Sequence, residues 1–502
     1  MNYIGIDFGA CNIKAVKISS TGKLQRLKLN KDQTGGNFIP NVVLYDKAHG
    51  KIEIKVGKFA KNSLDVENKV WQIKPKLTQK NWTKFIKNLD RDVTITEIVE
   101  NIFVWLWQEI KNKLSNEEEL EVAITVPVSF SELQKNLIKE AAIRAGVPVK
   151  AIINESFAAI FSVEDIDDDE QCILIFDIGG STLDVSLCRI ECVDDKLNIT
   201  ELAAAGLKFG GIDIDNGIFE QIFLVKYADS VKELIDTDTT GRFKNELMNL
   251  IENLKEEIFF NEEDEVSNII SDSCGNLHNF SLTRDEIISV LEKAGIKQKI
   301  IALLDDLLDD AQIDASEVTK VKFFGGTSSI DYFKDILTDY FNEDIFDDEE
   351  RDVDEIYMSI AHGAAKYLFM NSEKTDIVIK NVIPYSIGLI LRGNFNRLIK
   401  RNELSGFITP FKPLLISELN LNDWRIPVYQ TFSNDFDLPV DSDEIIFIGD
   451  IELSTERYEA QDAILFKMQT SGTGKILMSF FEQSDDSEEP KLIEKKSVKL
   501  GG

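Results

Sequence analysis

The chain has 502 residues, 88 acidic against 56 basic, and a formal net charge of −32. That length gives room for about three domains with large buried cores, while the negative balance argues against a nucleic-acid or anionic-membrane partner. Five cysteines without metal-ligand pairing, three scattered histidines, no secretory signal and only short apolar runs argue against zinc, histidine triads and a membrane helix. The expectation is a cytoplasmic protein with reduced cysteines in its core.

Tyr3–Phe8 and Ile13–Ile18 are apolar strands around a turn, Gly9-Ala10-Cys11-Asn12, with Asp7 near the end of the first strand. Phe38–Tyr45 and Lys51–Val56 alternate at period two and should be strands. Trp71–Leu77 reads as a short extended piece whose lysines, Lys74 and Lys76, reach inward or, more simply, point to water. Thr94–Glu97 is a capping box opening a helix to about Leu114, with Ile98, Ile102, Leu106 and Ile110 on one face. Leu120–Pro127 is a buried strand, and Ser131 with Gln134 caps a helix that ends at Gly146. Val149–Ile153 leads through Asn154 and Glu155 into a small-residue helix. A carboxylate at a strand's carboxyl end lies where open α/β sheets put ligands, so Glu155 is a site candidate as well as a helix-cap candidate.

The first pattern then returns. Cys172–Ile178 and Val185–Ile190 flank Gly179-Gly180-Ser181-Thr182, again with an aspartate, Asp177, near the end of the first strand. Glycine lets consecutive N–H groups come close to an anion, and a carboxylate beside such a nest can hold a magnesium shell water or orient an attacking water. An internal repeat at domain spacing implies two similar lobes, each offering a hairpin to one phosphate tail.

Two more Gly-Gly turns follow apolar segments: Gly210-Gly211 before a long helical region, and Gly325-Gly326 after the strand Val321–Phe324. The first doubles as a helix N-terminus signal. Phe243–Phe260 is helical, with Glu252 and Lys255 one turn apart. Helical character ends near Met370, and short alternating runs from Tyr385 onward read as a β sandwich. The chain therefore divides into residues 1–375, a linker at 376–384, and a β module at 385–502. Acidic runs at 164–170, 305–310 and 343–355 read as solvated loops and helix faces without a site.

Taken together, Ile4–Gly9, Ala123–Pro127, Ile152–Glu155, Phe176–Asp184, Phe209–Asp213, Phe324–Gly326 and Leu398–Asn402 resemble, in order along the chain, the 70-kilodalton heat-shock chaperones of DnaK type. These belong to the actin-like ATPase superfamily. The resemblance implies an α/β fold, a two-lobed actin-like ATPase domain of duplicated βββαβα lobes, followed by an all-β sandwich. It implies ATP or ADP with Mg2+ as ligands. Asp7 and Asp177 would be catalytic carboxylates around magnesium and the attacking water, holding the metal through water. Glu155, Thr182 and Lys74 would stand beside the γ-phosphate as catalytic groups. Gly9, Ala10, Cys11, Asn12, Gly179, Gly180, Ser181, Gly210, Gly211, Gly325, Gly326, Thr327 and Ser329 would line the phosphates and ribose. Glu252, Lys255, Glu256 and Phe259 would flank the adenosine.

The departures are equally specific. Ala10 and Cys11 stand where the family has two threonines, which predicts slower hydrolysis. Glu256 replaces an arginine that stacks on the base, and Phe259, in place of a serine, would stack on the base or block it. Ala151 and Asn381 replace an arginine and an aspartate of the family's relay, whereas Pro127 and Lys135 keep another part. Stimulation by a J-domain co-chaperone is therefore in question, while the apolar linker Ile377-Val378-Ile379 still suits docking. Leu389 is weighed equally as a peptide-site residue and as sandwich core. The family's helical lid is not expected after the β module, so any peptide should be released quickly. Three readings follow. One is a lidless chaperone-like ATPase acting on a polypeptide client; another is a weakly hydrolysing scaffold holding one protein partner; the last-ranked is a sugar-kinase-like transferase.

Overall fold

The computed structural model of the protein describes residues 1–502 apart from 30–37, 78, 80, 115–118, 164–169, 194–195, 273–274, 342, 347–352, 373–376, 392, 416–424, 436–437, 440, 454–462, 471–474, 483–489 and 501–502. Most of the acidic run at 164–170, part of that at 343–355, and Cys274 thus lie outside the described residues.

The first hairpin, Asn2–Phe8 with Asn12–Ile18, is the centre of a mixed sheet. Leu120–Val126 pairs in parallel with its first strand and Val149–Asn154 in parallel beyond that, while Leu24–Arg26 extends the other edge. The second half repeats the order. Gln171–Ile178 and Leu183–Val193 form the hairpin, Lys196–Leu207 lies outside it, and Lys320–Phe324 pairs in parallel on the inner side. These strands are nearly continuous apolar runs because both faces are covered; Ile4, Ile6, Leu174 and Phe176 have no exposure.

Between the two sheets lie Val353–Met370 and Glu155–Ile160, which touch each other and both hairpins' sheets. At their crossing a Cβ on Gly363 would sit 1.8 Å from the Ala158 carbonyl oxygen, so glycine alone lets the two backbones meet. This crossing turns the two hairpins toward a common cleft. On the outer face, Ile95–Lys111 buries Ile98, Ile102, Leu106 and Ile110 as its spacing predicts. Its Thr94 cap accepts the Glu97 amide, but the Glu97 carboxylate binds Arg91 instead of closing the box. Glu132–Arg144 has the complete Ser131/Gln134 capping box.

From Ser386 onward the chain forms two facing antiparallel sheets around a core that includes Ile387, Leu389, Val428, Ile448, Phe466 and Phe480. Leu389 is fully buried there, opposite Val428, so of its two expected roles the structure assigns it the core one. The segment Ile377–Lys380, expected as a linker, is a strand paired in parallel with the outer edge of Lys196–Leu207.

Further contacts join the β module to the lobes. The Tyr385 hydroxyl donates to the buried Glu132 carboxylate, and the Glu132 amide donates to Gln430 Oε1 at 3.0 Å. Asn402 Oδ1 accepts the Ala204 amide at 3.0 Å. Arg401 and Asn402 both bind Asp310 on the helix Ile296–Ala311. The acidic face at 305–310 is therefore not merely solvated, because a long-range basic partner reaches it.

Candidate functional site

The two hairpin turns face each other across a cleft of about 860 Å³, counting its open mouth. Each hairpin sets an aspartate opposite a residue seven positions later: Asp7 pairs with Lys14 and Asp177 with Asp184. The first aspartate is closed off, since Lys14 Nζ donates to Oδ2 at 2.7 Å and the Thr125 hydroxyl to Oδ1 at 3.5 Å. The second is open. Asp177 Oδ1 is buried without a hydrogen-bond partner. Gly325, at φ 79°, passes so close that a Cβ would lie 2.6 Å from that oxygen, so conformation and space both demand glycine.

Lys74 enters from beside the first lobe's sheet. Gln72, at φ 50°, breaks the extended path, and Ile73–Lys76 forms a helical turn that aims Lys74 inward at Glu155. The extended conformation expected for this piece is thus corrected to a helical turn, and of the two directions open to Lys74 it takes the inward one, at 2% exposure. Lys76 also folds back, donating to the Trp71 and Gln72 carbonyls at 2.6 and 3.0 Å. Glu155 itself is the first residue of its helix, with Asn154 at the cap position.

The buried carboxyls lack enough positive charge. Burial pushes Glu155 up to about 7 despite the pull of Lys74. Burial, then the charges of Glu155, Asp184 and Asp7, holds Asp177 well above the usual carboxylate range. Asp184 rises to about 6, burial outweighing its bonds from the Thr182 hydroxyl and the Val128 amide. An uncompensated buried carboxylate favours uptake of a proton or a cation. Among the described residues, no three carboxylate, histidine or cysteine side chains are placed to ligate a metal directly. The orphaned Asp177 oxygen fits a hydrated cation instead, held through its water shell.

At the cleft's mouth Lys61 Nζ binds Glu252 at 2.7 Å, joining the two halves of the chain. One turn on, Lys255 binds Asp215 at 2.6 Å and the Gly211 carbonyl at 3.0 Å. Burial and the neighbouring Glu252 raise Glu256 to about 7. Phe259 lines the wall, with the Arg284 guanidinium 4.9 Å from its ring centre. Cys11 also lines the cleft, among the residues the resemblance puts at the nucleotide, and burial raises its thiol to about 12. Cys192, expected in the core, is instead exposed, whereas Cys172 and Cys188 are buried.

A sequence model of the family described as Hsp70 protein matches residues 3–431. The chain belongs to the Hsp70 family. The Chaperone protein DnaK of Stenotrophomonas maltophilia (strain R551-3) is 28% identical over 433 residues, which cover 80% of this chain and 64% of that relative. The chain thus spans somewhat less than two thirds of the length of the curated relative it matches.

Of the residues that Hsp70 resemblance puts at the nucleotide, all but Gly210 line the cleft. Gly210 lies beneath it, against the second hairpin, where the Gly211 amide donates to the Gly179 carbonyl at 3.0 Å. Pro127, Lys135, Ile377–Ile379 and Leu389 lie outside the cleft lining. Pro127 precedes Val128, whose amide binds Asp184, and Lys135 sits 5.1 Å from the Tyr385 ring centre, so this short segment links cleft to β module. Lys14, Asp184, Asp215, Lys61 and Tyr357 were not foreseen. The register of each hairpin, counted from its aspartate across the glycine turn, would have found the first two.

Proposed function

We propose that the chain binds ATP or ADP with magnesium in the interlobe cleft and hydrolyses ATP slowly, as a chaperone-like ATPase. The carrying observation is the pair of glycine turns facing one cleft, one of them beside an aspartate with a buried, unpartnered oxygen. In this reading the glycine turns bind phosphate through backbone amides, and Lys74, fixed by Glu155, orients the terminal phosphate. Asp177 would hold magnesium through water, and that ion would supply charge neutralisation. Glu155, raised to about 7, can take a proton near neutral pH. Ala10 and Cys11 offer no hydroxyl, which supports slow turnover.

Residues 1–375 are proposed as the ATPase unit, 376–384 as the linker, and 385–502 as the polypeptide-binding unit. The parallel strand Ile377–Lys380 and the Glu132–Tyr385 contact support coupling between them, because a nucleotide-driven movement of the lobes would load both. The client is an extended polypeptide. ATP titration with single-turnover hydrolysis, for wild type beside Asp177→Asn and Lys74→Ala, tests the reading. Binding in all three with turnover in wild type alone is expected; absence of ATP binding in wild type would overturn it.

A further inference from the structure

Lys14 has no role in the reading above, yet it is the basic group that pairs with the first hairpin's aspartate, Asp7. It sits on Asn12–Ile18 directly opposite Asp7, is 9% exposed, and lines the cleft together with Lys74, Glu155 and Asp177. Its ammonium binds Asp7 Oδ2 at 2.7 Å and feels the charges of Asp177 and Glu155 as further attraction. The Tyr357 ring, centred 5.6 Å away, closes in on it. A buried ammonium is costly unless paired and hydrogen-bonded, and here the pairing is with the very carboxylate expected to meet a metal's water shell.

That arrangement has a chemical consequence. With the Lys14 ammonium on Oδ2 at 2.7 Å, Asp7 already has its charge balanced by a resident cation before any divalent ion enters. The ammonium is itself a compact point charge with rotatable donors, suited to a phosphate oxygen. Asp177, with its buried Oδ1 unpartnered, remains as the second, independent sign that a cation-bearing ligand enters here.

We propose that Lys14 is a resident cation of the nucleotide site: tethered to Asp7 and facing Asp177 and Glu155, it supplies part of the positive charge a polyphosphate needs, so that nucleotide binding depends only weakly on magnesium. The inference rests on the nucleotide reading of the cleft. ADP titrations by calorimetry, with excess magnesium and again with excess EDTA, test it in wild type and in Lys14→Met. Wild-type affinity should fall by less than about tenfold between magnesium and EDTA, while the affinity of Lys14→Met should fall by at least about a hundredfold between the same two conditions. Equal, large losses in both proteins overturn the inference and leave the nucleotide reading intact. No ADP binding by wild type under either condition sinks the nucleotide reading and the inference with it. If Lys14→Met does not fold, the wild-type pair of titrations decides alone.

Discussion

The two hairpins share a backbone and differ in charge. Both carry an aspartate at the strand end, a glycine turn, and a cross-strand partner at the same register, but the partner is Lys14 in the first and Asp184 in the second. The first hairpin's pair is therefore charge-balanced, whereas the second's is two buried acids, each with an unpartnered oxygen, Asp177 Oδ1 and Asp184 Oδ2. A duplicated scaffold thus offers one side of the cleft as a finished ion pair and the other as a demand for positive charge. The second hairpin's sheet also carries the linker, through Glu201 and the strand Ile377–Lys380, and its Ala204 amide binds Asn402 of the β module.

The largest effects should come from the groups that meet at the open side. Asp177→Asn and Lys74→Ala should each lower single-turnover hydrolysis at least about 100-fold while leaving ATP binding measurable by titration. Next comes the direct contrast between hairpins. Removing the lysine in Lys14→Met leaves Asp7 as a buried charge, so denaturant unfolding of the ligand-free protein should show a loss of about 3–5 kcal/mol. Removing the acid in Asp184→Asn keeps the acceptor for the Val128 amide and relieves repulsion, so the same measurement should show a change within about 1 kcal/mol of wild type. Equal destabilisation by both would break the comparison.

Glu201 sharpens it through pH. The side chain is fully buried, accepts from Ser186 and from the Val382 amide, and burial raises its carboxyl to about 7 despite those bonds. A carboxyl raised in the folded state stabilises fully below its ordinary value and loses that stabilisation as pH climbs through the raised one. Between pH 6 and 8 wild-type melting temperature should accordingly fall relative to Glu201→Gln, which cannot ionise. A gap that narrows or stays constant would contradict the assignment. The smallest effect is expected at the mouth. Lys61→Ala removes a partly exposed bridge to Glu252, and stopped-flow release of a fluorescent ADP should quicken about two- to fivefold.

Both hairpins were legible in the sequence because apolar strands, glycine turns and repeated aspartates are local signals. The capping box at Ser131 and the helix face of Ile95–Lys111 were equally local. Lys14 was not read because, in the strand Ile13–Ile18, a lysine looks like an outward residue until its register against Asp7 is known. The conformation around Lys74 was misread for a different reason: the left-handed turn at Gln72 has no glycine to announce it. The acidic face around Asp310 gained its meaning only from Arg401 and Asn402, some ninety residues away. Tertiary partners decide such positions, and local patterns do not carry them.

The central claim is that both glycine turns grip one ligand. Hydrogen exchange with and without saturating ATP tests it most directly, read at residues 9–12 and 179–182. The account predicts that amides in both turns slow together. Protection of one turn alone, or of neither, would contradict it.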